Sequence, residues 1–171
     1  LTREAWLQGV SFYVDERAIV PRSFIAELLA EGSIDPWLDD TSRDVLAAIA
    51  NQTEENIGKL AQACAVLGCD PGGIPCEAMK GLVRESAGAA DHPGEPAAID
   101  AAIIASAQRI AHYEIAGFGT AKAFAVQLDS DALAADLDDL LSDAYIADAA
   151  LTRIATGGRR GHGVNEAAAG S

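Results

Sequence analysis

Residues 97–128 read AAIDAAIIASAQRIAHYEIAGFGTAKAFAVQL, a run with no proline and no strand-like alternation. Ile103, Ala107, Ile110, Phe118, Ala121, Ala125 and Leu128 fall on one face at helical spacing, so the segment predicts a long amphipathic helix. Working outward, Asp131 to Ala155 predicts a second such helix, carrying Leu133, Leu137, Leu140, Leu141 and Leu151. Upstream, a helix starts near Thr41 and Ser42, with Asp44 in its first turn, and lines Val45, Ile49, Leu60, Ala63 and Leu67 on one side. Gly68 supplies its stop. Cys69-Asp70-Pro71-Gly72-Gly73-Ile74-Pro75 cannot continue it, and Cys76 to about Ser86 reads as a short helix before a Gly/Pro loop, Gly88 to Pro96. A further apolar stripe, Trp6, Val10, Tyr13, Val20, Phe24 and Leu28, opens the chain, with a kink or break expected at Pro21. The expected fold is all-α: four long helices, with the short helix in the crossover between the second and third. Residues 1–155 form the bundle, and 156–171, rich in Gly and Ala, are expected to be a flexible tail.

Composition agrees and narrows the function. The 171 residues carry 26 acidic and 12 basic side chains, a formal charge of −14. Half of the residues are hydrophobic, which argues for a packed core rather than an acidic disordered tail. The acid excess argues against nucleic acid and against an anionic membrane surface, both of which recruit clustered Lys and Arg. No apolar run has the length of a membrane span, and no signal peptide is visible. Cys64, Cys69 and Cys76 match no zinc spacing and read as small core residues of a cytoplasmic protein.

The candidate chemistry lies where polar groups interrupt the apolar stripes. Glu114 falls between Ile110 and Phe118, Asp148 between Leu141 and Leu151, and Glu16 one turn from Tyr13 and Val20. On the second helix Thr53 and Asn56 sit inside, with Gln52 nearer the margin. An ionised carboxylate facing a core costs on the order of several kcal/mol unless paired or bound to metal. Carboxylates from facing helices are how bundles hold paired iron or manganese. The bland alternative is neutralisation by Arg17 or Arg109, or protonated carboxyls hydrogen-bonded to Gln52 and Asn56. The Glu-x-x-His signal of di-metal bundles is missing, and His112 points away from Glu114. Gly117-Phe118-Gly119-Thr120 suggests close helix packing, and Asp136, Asp138, Asp139 and Asp143 suggest a solvated acidic face.

The segments Cys76-Glu77-Ala78-Met79-Lys80-Gly81-Leu82 and Asp100 to Thr120 resemble the bacterial YciE/YciF family. The resemblance covers most of the chain, residues 10–155. It implies a ferritin-like four-helix bundle, a link to stress responses, and a homodimer. It also implies the positions of a di-metal site. Tyr13 and Glu16 match the family's first-helix Tyr-x-x-Glu, and its second-helix His-x-x-Glu-Thr falls on Ile49, Gln52 and Thr53. The third-helix Glu-His-Tyr-Glu reads Ala111-His112-Tyr113-Glu114 here, and a fourth-helix Glu and Asp fall on Ala144 and Asp148. Three carboxylate positions of that pattern are therefore Gln52, Ala111 and Ala144. The expected site is Glu16, Gln52, Glu114 and Asp148, an eroded version of the family's centre, holding iron or manganese at low occupancy or not at all. Two outcomes stay open: a non-enzymatic bundle kept for assembly, or a mononuclear or weak dinuclear metal protein with redox or peroxide-handling activity.

Overall fold

The computed structural model describes residues 40–68, 76–90, 93–158 and 162–170. Within them lie five helices: α1 (Asp40–Leu67), α2 (Glu77–Ala90), α3 (Pro96–Gln127), α4 (Asp131–Thr156) and α5 (Val164–Gly170). No strand occurs among the described residues. The protein is an all-α bundle, with the short α2 in the crossover between α1 and α3, as the sequence predicts. The stripe from Trp6 to Leu28, with Tyr13 and Glu16, lies outside the described residues.

Each helix end has a local cause. Gly68 ends α1 at φ +66°, a left-handed conformation that costs glycine little. Cys76 caps α2: its thiol accepts the Met79 N–H at 3.4 Å and its carbonyl accepts the Lys80 N–H at 3.0 Å. Pro96 occupies the first turn of α3, where a missing N–H costs nothing. Asp129 (φ +53°) and Ser130 make the tight turn into α4, closed by the Ser130 N–H donating to the Ala125 carbonyl at 3.0 Å. Gly157 stops α4 in the left-handed region, next to Arg153 in the last turn.

Two apolar clusters hold the long helices together. Leu46 and Ala50 of α1 meet Ile103, Ile104 and Ala107 of α3 and Leu151, Ile154 and Ala155 of α4. Leu60 of α1 meets Ala121 and Ala125 of α3 and Ala134, Leu137 and Leu140 of α4. These pairings make α1 and α3 parallel and α4 antiparallel to both. A third cluster seats α2 on α3, through Cys76, Met79 and Ile110. Cys64 and Cys76 are buried, as expected of small core residues. The apolar stripes overrun at the helix ends, where Leu67 and Leu128 are exposed.

Two expectations are corrected. Residues 164–170 of the expected tail form a helix rather than flexible chain, and Val164 packs against the Leu46–Leu151 cluster. Gly163 permits this by lying directly on the end of α4, where a Cβ would overlap the Ala155 carbonyl oxygen. The glycines at 117 and 119 mark no close helix contact among the described residues. There Gly117 has nothing within 4 Å of a Cβ position, and a Cβ at Gly119 would meet Leu141 at an ordinary 4.0 Å.

Candidate functional site

Between the two apolar clusters the bundle has a polar waist. A cavity of about 280 Å³ opens there between α1, α3 and α4. Its walls are largely apolar, including Val45, Ile49, Ile110, Phe118 and Leu151. Its polar groups are Gln52, Thr53 and Asn56 from α1, Glu114 from α3 and Asp143 from α4. Residues 52, 53 and 56 share one face of α1 because they lie three and four apart.

One side of the waist is an ordered network. The Gln52 amide Nε2 donates to Asn56 Oδ1 at 3.2 Å and to Asp143 Oδ2 at 3.1 Å. Lys59 Nζ lies 3.4 Å from the same Asp143 oxygen, so Asp143 is neutralised within the protein. Thr53 spends its hydroxyl proton on the Ile49 carbonyl at 2.9 Å. Glu114 differs: it has no ion-pair or hydrogen-bond partner among the described residues, and burial alone pushes its carboxyl up to about 7.

The structure divides the residues expected to form one site. Gln52 and Glu114 share the cavity. Asp148 faces the α3–α4 seam instead, accepting from Gln108 Nε2 at 3.2 Å and lying 3.3 Å from His112 Nε2. The same Gln108 amide donates to Thr152 Oγ1 at 2.9 Å. Glu16 lies outside the described residues. His112 is exposed on the helix flank, as its wheel position predicts. Arg109 neutralises no waist carboxylate, because it pairs with Glu85 of α2 at 2.7 Å.

Asp143 is the residue that the sequence reading misplaced. Asp136, Asp138 and Asp139 are exposed, and Asp138 pairs with Lys122 at 2.5 Å, but Asp143 turns inward. The available signal was its place one turn from Leu140 and Ala147, on the inward arc of α4 that also carries Ala144. Alanine is too neutral to mark a buried stripe on its own.

These groups do not fit a di-metal centre. Among the described residues no three His, Cys, Asp or Glu side chains are grouped to hold an ion. Among the described residues the waist offers two carboxylates, one shared with Lys59 and one held by burial close to its neutral form. The positions at which the resemblance implies further acids, Ala111 and Ala144, present methyl groups to the cavity.

Helices, apolar clusters and a polar waist define this class of protein: an all-α helical bundle with its candidate site at the centre. The sequence model of the family described as "Domain of unknown function (DUF892)" matches residues 39–169, and the chain belongs to that family. Protein YciF of Escherichia coli (strain K12) is 37% identical over 82 residues, 48% of this chain and 49% of that protein. Against the crystal structure of the E. coli stress protein YciF, the TM-score is 0.70 at 24% identity, covering 85% of this chain and 92% of that one. YcfI of Rhodopseudomonas palustris gives a TM-score of 0.73 at 29% identity, covering 91% and 96% of the two chains. The YciE/YciF resemblance read from the sequence therefore holds. A further match, 45% identical over 69 residues, is to the ribosomal protein uL3 glutamine methyltransferase of Burkholderia pseudomallei (strain K96243). It covers 40% of this chain and 18% of that protein, so the chain spans under a fifth of the methyltransferase's length. Among the described residues, no helix is long and apolar enough to cross a membrane.

Proposed function

We propose that this chain is a YciF-type bundle whose di-metal centre is eroded, and that it serves stress physiology as a non-enzymatic protein, through assembly or partner binding. The observation that carries this reading is the donor set of the waist. Asp143 is engaged by Lys59 and Gln52, Glu114 is poised near neutrality, and Ala111 and Ala144 contribute no oxygen. A pair of divalent ions needs several oxygen or imidazole ligands, and a lysine ammonium beside one carboxylate competes for the same charge. The link to stress rests on the description of the E. coli relative as a stress protein. The buried cysteines suit a reducing cytoplasm, and the homodimer follows from the family resemblance.

Elemental analysis after purification with iron, manganese and zinc supplied tests the reading. Metal well below one ion per chain in every case is the expected result; one or two ions per chain overturns it. The second reading is a mononuclear or weak dinuclear iron or manganese protein with redox or peroxide-handling activity, using Glu16, Gln52, Glu114 and Asp148. It draws on the carboxylate and imidazole that Asp148 and His112 bring together at 3.3 Å. Metal-dependent protection against heat that Asp148→Ala abolishes would favour it.

A further inference from the structure

The waist cavity holds one carboxyl, that of Glu114, which no group among the described residues pairs. The Gln52 amide N–H groups are spent on Asn56 and Asp143, and the Thr53 hydroxyl on its own helix. What lines the cavity in addition is Glu114, without a partner among the described residues, and the Asn56 amide, whose oxygen accepts from Gln52. A group that satisfies Glu114 donates N–H bonds and carries a positive charge, as an ammonium does. The rest of the wall asks for an apolar body: Val45, Ile49, Ile110, Phe118 and Leu151 line it. At about 280 Å³ the space exceeds the ~150 Å³ apolar cavity that takes up benzene. It therefore has room for one ring and a short side chain. Larger residues at Ala111, Ala144, Ala147 or Ala150 would fill it.

We propose that the waist cavity binds a small hydrophobic primary amine, its ring among the α1, α3 and α4 apolar side chains and its ammonium on the Glu114 carboxyl. This inference rests on the reading that the waist holds no metal pair. Charge complementarity selects the ligand's head, since among the described residues the waist carries two acids, and the Lys59 ammonium is already placed on one of them, Asp143. Specificity comes from opposition of the two ends: a neutral aromatic offers too few donors, and an aromatic acid brings like charge to Glu114 and Asp143.

Isothermal titration calorimetry on the full chain, with its metal content measured on the same sample, tests the proposal. The probes are 2-phenylethylamine, the neutral 2-phenylethanol and the anionic 3-phenylpropanoate. The expected result is one site for the amine, at least tenfold weaker binding of the alcohol and none of the acid. Glu114→Gln weakens the amine about tenfold without changing the helix content. Ala111→Leu, which fills the space, abolishes binding; if that variant does not fold, Ala147→Val provides the same test with a smaller addition. Metal-free protein that binds no amine, or that binds amine and alcohol equally, overturns the inference and leaves the eroded-site reading standing. One or more ions per chain overturns that reading and, with it, this inference.

Discussion

Glu114 is where burial and charge meet most sharply. Its carboxyl is raised from an ordinary 4.5 to about 7 by desolvation, with no cation paired to it among the described residues. The folded chain therefore keeps a proton between these values that the unfolded chain has released. Stability from this residue is complete below 4.5 and is lost as the pH rises through about 7. Denaturant titrations at pH 5 and pH 8 should differ by up to roughly 3 kcal/mol more in the parent protein than in Glu114→Gln. Equal pH differences in the two proteins would contradict the assignment. Glu114 was legible in the sequence because Ile110 and Phe118 bracket it on one face. Asp143 was not, since Ala144 and Ala147 mark its side of α4 only weakly and the acids that precede it, Asp136, Asp138 and Asp139, are solvated. Asp148 was read as inward, and it is partly buried, but α4 packs against both α1 and α3. A helical wheel gives the buried arc and not which neighbour each part of that arc meets.

At the scale of elements, glycines separate local cost from tertiary need. Gly117 lies in the middle of α3, exposed and with nothing among the described residues within 4 Å of where a Cβ would stand. Gly117→Ala should stabilise the protein by about 0.5–1 kcal/mol, by removing conformational freedom from the unfolded chain. Thermal unfolding should show it as a rise of about 1–4 °C. Gly163 has the opposite sign. It is buried against the end of α4, so Gly163→Ala should cost about 1–3 kcal/mol through overpacking and lift α5 off its seat. Hydrogen exchange of the amides in Val164–Gly170 should then quicken more than that in α3. The helix end at Gly68 could be placed from sequence because it follows from the backbone chemistry of one residue, and the start of α3 was read within one residue of Pro96. The docking of α5 could not be placed in this way. Seven residues rich in alanine carry no periodic stripe, and only the surface they meet decides whether they stay.

For the whole molecule, the polar waist between two apolar clusters is the feature that the function turns on. Restoring oxygen donors there should restore a metal site, if loss of donors is what removed it. The triple variant Gln52→Glu, Ala111→Glu, Ala144→Glu should retain iron or manganese at about one or two ions per chain, where the parent retains far less. Without metal it should be less stable than the parent, because uncompensated carboxylates are then buried together. Elemental analysis combined with melting curves, with and without metal, checks both halves. A triple variant that folds and stays metal-free would show that more than these three side chains separates this waist from a di-metal centre. The sequence by itself determined the all-α class, the order of the long helices and the family, since helical periodicity and end signals are local properties of neighbouring residues; it ended the short helix near Ser86, where the structure carries it to Ala90. It also located Glu114, because a carboxyl amid isoleucine and phenylalanine on one face stands out without a structure. Only the tertiary structure decided which polar groups share a space: it joined Gln52 and Asp143 from separate helices, turned Asp148 to His112, and seated α5. The reason is that contacts across helices depend on how each helix is rotated and offset against its neighbours. Those settings come from the packing of the whole core and leave no mark on any single segment.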